Sequence, residues 1–316
     1  MFAVAFGQTT LPSLVTTLPI GGEARWDLLT VDSIAQRLYV SHGTRTEVID
    51  LKTDKVLSPI LNTPRVHGIA LVPEFQRGFI SCGGDSSVVV FDLKTDSVIT
   101  RVDVQGKNPD VIIYEPLTKN IFCFNGRSND ASVIDPQTLK VVGHVPLSGK
   151  PEFAISDGAG RVYVNLEDKS KVMVFDPKTY KAIAEWPLAP GEEPTGIALD
   201  GKNHRLFSAC GNQLMAVSNT ESGKVIATLP IGKGSDGAAF DPVTHRAFSS
   251  NREGTLTVIR EESPNKFSVE GNVTTMPSAR TVALDESTHR LFLPTKAAGD
   301  SVTVAKEGLK LLICKQ

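Results

Sequence analysis

A unit of about 42 residues recurs seven times along this chain, and no other feature narrows the possible folds as far. Four turns make the period visible: Asp50-Leu-Lys-Thr53, Asp92-Leu-Lys-Thr95, Asp135-Pro-Gln-Thr138 and Asp176-Pro-Lys-Thr179, spaced by 42, 43 and 41 residues. A second set of marks, Arg37, Arg77, Asn120, Arg161, Arg205, Arg246 and Arg290, is spaced by 40 to 44 residues and runs through nearly the whole sequence. Each unit holds four short runs of alternating apolar residues; in the fifth they are Gly196–Leu199, Leu206–Ala209, Leu214–Val217 and Val225–Leu229. Such runs, broken by Gly, Asn, Asp-Pro and Lys-Thr, are strands joined by tight turns. No unit contains a helix-period run of ten or more residues, which excludes helical solenoids. The pattern predicts an all-β fold: a seven-bladed β-propeller of four-stranded antiparallel blades.

The ends predict how the ring closes. Leu14–Ile20 copies the fourth strand of unit five, Val225–Ile231, yet stands before unit one, while the last unit ends after Leu309–Cys314. The N-terminal strand is therefore expected to complete the last blade, leaving no unpaired edge at the junction. Residues 11–316 form one propeller domain on this reading. Residues 1–10 are a signal-peptide remnant or a disordered start, because Met1–Gly7 is apolar and Ala5-Phe6-Gly7 has the small-x-small form of a cleavage site.

Composition excludes several classes. Net charge is −2, so no global positive field gathers nucleic acid. No apolar run approaches the roughly 20 residues of a spanning helix. The four cysteines contain no CxxC pair, against a zinc ribbon or redox motif. Cys82 and Cys210 fall on distant blades, and Cys123 and Cys314 lie in strands as core residues.

The units resemble the YVTN-type repeats of YncE-like bacterial proteins in Arg37-Leu-Tyr-Val40, Arg161-Val-Tyr-Val164, and the Val48-Ile-Asp50 and Val133-Ile-Asp135 strand ends. The resemblance covers about residues 14–316 and implies the seven-bladed fold together with a periplasmic or secreted location. It implies no particular activity. Ser218-Asn219 in unit five and Val258–Asn265 in unit six depart from the repeat, and both turns are expected to deviate.

Several motifs read as structure. Gly232-Lys-Gly-Ser-Asp-Gly237 matches GxGxxG, but the next residues form a strand rather than the helix a dinucleotide site requires. The Asp and Thr of the repeated turns cap those turns through their side chains. His204, His245 and His289 occupy one repeated turn position and are expected to face solvent.

Function is expected where the units differ, on the face that carries the loops. Ten residues before each strand-two mark, with a one-residue shift in unit four, lies a ring of Asp27, His67, Asp110, Glu152, Thr195, Asp236 and Arg280. Five residues after the marks lie His42, Cys82, Asn125, Leu166, Cys210, Asn251 and Thr295. Both rings are expected at the mouth of the central funnel. Four carboxylates around one axis repel one another unless a cation or the two bases compensate. His42, His67 and Asp110 are the candidate metal ligands for a divalent ion; no other cofactor is expected. Two readings follow. The favoured one is a non-catalytic binding or scaffold protein of the bacterial cell envelope, taking a small polar ligand or a protein partner at the mouth as a monomer. The rival is a hydrolase, lyase or metal-dependent enzyme with His67 or His42 as general base.

Overall fold

The computed structural model describes residues 10–296 and 308–316; the expected signal remnant in Met1–Gly7 lies outside them. Seven antiparallel sheets stand around an axis as blades I to VII. Their innermost strands are Leu29–Asp32, Val66–Val72, Pro109–Glu115, Pro151–Ser156, Pro194–Asp200, Ser235–Asp241 and Ala283–Asp285. The outer strand of blade I is broken into Lys55–Val56 and Ile60–Leu61, because Pro59 between them has no N–H for the ladder. Ring closure follows the sequence expectation. Ser13–Gly21 pairs antiparallel with Leu309–Lys315, from Ser13 opposite Lys315 to Gly21 opposite Leu309, with register shifts at Leu14/Thr16 and Pro19/Gly21.

Each strand's apolar residues point to both faces of its blade, since both faces pack on neighbours. The core therefore lies between blades. Phe79, Val88 and Val90 of blade II meet Ile112, Ile121 and Cys123 of blade III. Phe207 of blade V stacks on Phe240 of blade VI at 5.3 Å between ring centroids. All four cysteines are free and buried, and burial raises the Cys82 thiol to about 12 and Cys210 to about 11.

The period-marking residues have two mechanical tasks. The turn aspartates accept backbone N–H groups two and three residues ahead, as Asp50 Oδ1 does from Lys52 and Thr53 at 2.8 and 3.0 Å. These bonds hold the Asp50, Asp92 and Asp176 carboxyls below their usual range. Asn219 does the same for Glu221 and Ser222 at 2.9 and 2.8 Å, so the unit-five turn does not deviate. An amide oxygen accepts as a carboxylate does, and Gly223 (φ +71°) supplies the left-handed residue that closes the turn. Unit six does deviate, its third and fourth strands extending to Thr255–Ser263 and Lys266–Thr274.

Arginines at six of the seven strand-two marks, all but Asn120 of blade III, reach from their blade to the next. Arg37 reaches Leu93 O and Asp96, Arg161 reaches Thr220 O, and Arg205 reaches Pro264 O and Asn265. Arg290 crosses the ring junction to Leu51 O at 2.8 Å and Asp54 Oδ1 at 2.5 Å. Arg246 faces blade VII, where chain ends replace a turn, and bonds Thr10 O and Gln316. Hydrogen bonds of a charged donor to buried acceptors contribute about 1.5–3 kcal/mol. Arg290→Ala is therefore expected to lower the thermal midpoint by about 4 °C or more. Lys171→Ala, which removes an exposed pair with Glu185 inside blade IV, should have a smaller effect. Equal losses would contradict the bolting role.

The histidine turn position is more buried than expected. His204 is exposed, but His245 and His289 are half-buried, and His289 Nδ1 lies 2.9 Å from Asp241 Oδ2 of the preceding blade. These histidines sit at φ +53° to +59°, the left-handed residue of the turn, which folds them back against the adjoining blade.

Candidate functional site at the funnel mouth

The ring counted ten residues before the marks comes together at the start of the innermost strands. His67 Nδ1 stands 2.6 Å from Asp27 Oδ2 and 3.6 Å from Asp110 Oδ1. Arg280 Nε donates to Asp236 Oδ2 at 2.6 Å, and its Nη2 lies 3.5 Å from Asp27 Oδ1. A continuous arc of alternating charge thus runs Asp236–Arg280–Asp27–His67–Asp110 across blades VI, VII, I, II and III. Thr195 closes toward blade VI by donating to Ser235 O at 3.0 Å. On the far side Lys150 pairs with Glu152 at 2.5 Å and with Glu167.

The second ring does not line the mouth. Val66 pairs with Cys82, Pro109 with Asn125, Pro151 with Leu166, Pro194 with Cys210 and Ser235 with Asn251. Successive strand residues face opposite sides. The alternation that sends His67 or Asp110 to the channel turns the preceding residue and its partner into a blade interface. Asn125 Nδ2 donates to Asp130 and Ser132, and Asn251 Nδ2 to Thr255 and Thr257, bracing hairpins. Thr295 donates to Pro277 O. His42 is 2% exposed, with Nδ1 2.5 Å from Glu47 Oε1 and Nε2 against Glu23 O. It is apart from the His67 cluster, so the trio His42, His67 and Asp110 is not a ligand set. The cluster at the mouth is Asp27, His67 and Asp110, whose donor atoms lie within 4.8 Å of one another.

Burial controls protonation here. It raises Asp110 to about 6, against the pull of His67 and with the push of Asp27 and Asp236. It raises Glu152 to about 8, helped by Asp110 and Glu167. Lys150 offsets little of this, because it is shared by two carboxylates and half-open to solvent. Burial opposes a charge on His67, but its bond to Asp27 and the Asp110 charge win, and its pKa rises. Both carboxyls thus keep a proton where an unfolded chain has lost it. The stability they contribute is complete below about pH 4 and is lost as pH rises through about 6 and then about 8. Glu152→Gln should flatten the fall in thermal midpoint between about pH 5 and pH 9. Parallel curves for the two proteins would contradict this reading.

Sequence reasoning missed the cations above this ring. A cavity of about 630 Å³ opens over blades VII, I and II, lined among others by Trp26, Arg25, Arg65, Arg252, Arg280 and Lys296. Arg25, Arg65 and Lys150 stand two residues before ring positions 27, 67 and 152, so one more ring counted from the same marks would have found them. Arg25, Arg65 and Arg252 pair with no carboxylate among the described residues. Arg280 lies over the Trp26 ring at 5.7 Å. Among the described residues, the buried indole Nε1 of Trp26 has no hydrogen-bond partner, and neither has Nε2 of His67.

Comparison with known proteins supports the fold. No protein-family model matches the chain. It is 29% identical over 120 residues to Antigen Lp49 of Leptospira interrogans, a match taking in 32% of this chain and 26% of that antigen. The chain thus spans about a quarter of that relative's length. Among solved structures it is similar to Kuenenia stuttgartiensis hydrazine synthase, with a TM-score of 0.74 and 15% identity over 93% of this chain and 95% of that one. At that identity the likeness concerns the seven-bladed fold alone.

Proposed function

We propose that this chain is a non-catalytic ligand-binding propeller of the bacterial cell envelope. Its ligand is a small polar molecule seated at the mouth, with an anionic group on the basic collar and a donor group toward the acid ring. One observation carries the reading: the cavity is lined by Arg25, Arg65 and Arg252, none of which pairs with a carboxylate among the described residues, beside Arg280 over the Trp26 ring. Cations gathered in one concave site favour a ligand with an anionic group. The envelope assignment is supported by the YVTN-type repeat resemblance, and similarity to a leptospiral antigen is compatible with it. Against the rival enzyme stands the state of His67. Asp27 holds Nδ1, which leaves Nε2 as the nitrogen for a general base, and Nε2 is buried beside Gly83 rather than open to the cavity.

A thermal-shift screen of small organic anions, zwitterions and divalent metals tests the reading on wild type, Arg252→Ala and His67→Ala. A ligand at about 100 times its dissociation constant adds about 2.7 kcal/mol, or about 5 °C for a chain of this size. Stabilising ligands should lose most of that shift in Arg252→Ala and in His67→Ala. Equal shifts in all three proteins would overturn the site.

A further inference from the structure

On the face opposite the mouth, the junction of blades V and VI gathers three donor groups that the repeat gathers nowhere else among the described residues. Asp200 ends the innermost strand of blade V, His245 occupies the left-handed turn position of blade VI, and Glu261 lies in that blade's third strand. Their donor atoms lie within 4.8 Å of one another. We propose that Asp200, His245 and Glu261 form a binding site for a first-row divalent transition-metal ion that clamps blade V to blade VI.

The repeat shows how unusual Glu261 is. Its backbone N–H bonds His245 O, as those of Leu51, Leu93 and Thr220 bond Gln36 O, Gln76 O and His204 O. Pro136 and Pro177 follow the turn aspartates at the same position. Six units therefore offer Leu, Leu, Pro, Pro, Thr and Glu, and only unit six places a carboxyl in this interior. Glu261 is 4% exposed, and so is Asp200 facing it. Asn203 Nδ2 bridges the two, donating to Asp200 Oδ2 at 2.7 Å and Glu261 Oε1 at 3.1 Å. The other oxygen of Glu261 is buried with no partner among the described residues. Two buried carboxyls facing each other need a proton or a cation between them. At the next junction Asp241 also meets a histidine, His289, but Gln316 Nε2 satisfies the same oxygen at 2.8 Å. There an amide donor faces the carboxyl. The junction of blades V and VI has a second acid instead.

One imidazole with two carboxylates is a donor set for zinc or manganese rather than for calcium, which takes six or more oxygens. Ligand atoms about 2.0–2.2 Å from a zinc ion sit about 3.4 Å apart, within side-chain rotation of the separation observed. Asn203 holds both carboxyls from the side, the kind of outer support that metal ligands use. Binding displaces the proton that Glu261 holds, burial and Asp200 having raised its carboxyl to about 7.

The full chain tests this with zinc as the probe, at neutral pH and tens of micromolar metal. Bound zinc is counted after gel filtration, and thermal midpoints are measured with and without metal. Wild type and His67→Asn, whose change is confined to the mouth, should each retain one zinc ion per chain and gain stability from it. Glu261→Leu installs the residue that blades I and II carry at this position and should retain none. His245→Gln serves as the second variant should the leucine impair folding, and should bind at least ten-fold more weakly. A wild type that retains no zinc overturns the proposal, as does undiminished binding in Glu261→Leu or His245→Gln. Loss of zinc in His67→Asn alone would assign the ion to the mouth and overturn it too.

Discussion

Removing residues 1–20 should lower the thermal midpoint by about 10 °C or more, the largest effect expected of any truncation. Ser13–Gly21 is the outer strand of blade VII, so its loss bares the whole edge of Leu309–Lys315. Leu18 and Ile20 pack into the core shared by blades VII and I, beside Trp26, Leu38 and Leu311. Withdrawing those two side chains costs about 3 kcal/mol, and the ladder adds about 1 kcal/mol for each hydrogen bond lost. The strand also ties the first and last parts of the chain together, so its removal frees a ring that all seven interfaces depend on. Differential scanning calorimetry of the truncated chain measures this. An unchanged midpoint would refute closure by the N-terminal strand.

Gly196→Val should disrupt the ring from its axis. An added Cβ at Gly196 would lie 2.5 Å from the backbone nitrogen of Ala238 and 2.6 Å from the carbonyl carbon of Gly237, both in the adjacent innermost strand. Backbone cannot rotate away as a side-chain tip can, so blades V and VI would have to part. Overpacking of this kind costs about 3 kcal/mol or more, and the midpoint should fall by about 6 °C or more. Gly201→Ala is the control, since nothing lies within 4 Å of its added Cβ. Circular dichroism melts of both variants decide the matter. A Gly196→Val protein as stable as the control would mean that the inner strands are not in close contact.

The propeller was legible because its marks are mechanical. Asp50 and its equivalents recur where a turn needs an acceptor, and Arg37 and its equivalents recur where a blade grips the next. Spacing reveals such residues without any knowledge of contacts. Asn219 was misjudged because the turn needs an oxygen and not a charge. At the mouth, counting from the marks located Asp27, His67, Asp110, Asp236 and Arg280, since all sit at one height on equivalent strands. The same count failed for His42, Cys82, Asn125 and Asn251. It fixes height along a strand, whereas the side a residue faces follows from pairing register, and a one-residue difference reverses that side. The basic collar was missed for a third reason. Arg25 and Arg65 stand two residues before counted ring positions and Arg252 follows Asn251, all on connections just outside the strand positions that were counted. Their presence changes the ligand expected at the mouth. An acid ring alone favours a cation or a molecule that bridges Arg280 to the acids, but a ring in which Arg280 already meets Asp27 and Asp236, with arginines above it, favours a molecule with an anionic group.

Tryptophan emission tests the mouth most directly. The chain has two tryptophans, and Trp186 packs on Tyr163 at 5.7 Å in blade IV, away from the cavity. Trp186→Phe therefore leaves Trp26, whose indole lines the cavity under Arg280, as the sole reporter. Titrating this variant with a stabilising ligand should give a saturable change in emission, with a midpoint at the dissociation constant that the thermal shifts imply. The change should vanish in Arg252→Ala. A ligand that stabilises the protein fully while leaving Trp26 emission flat would contradict binding at the funnel mouth.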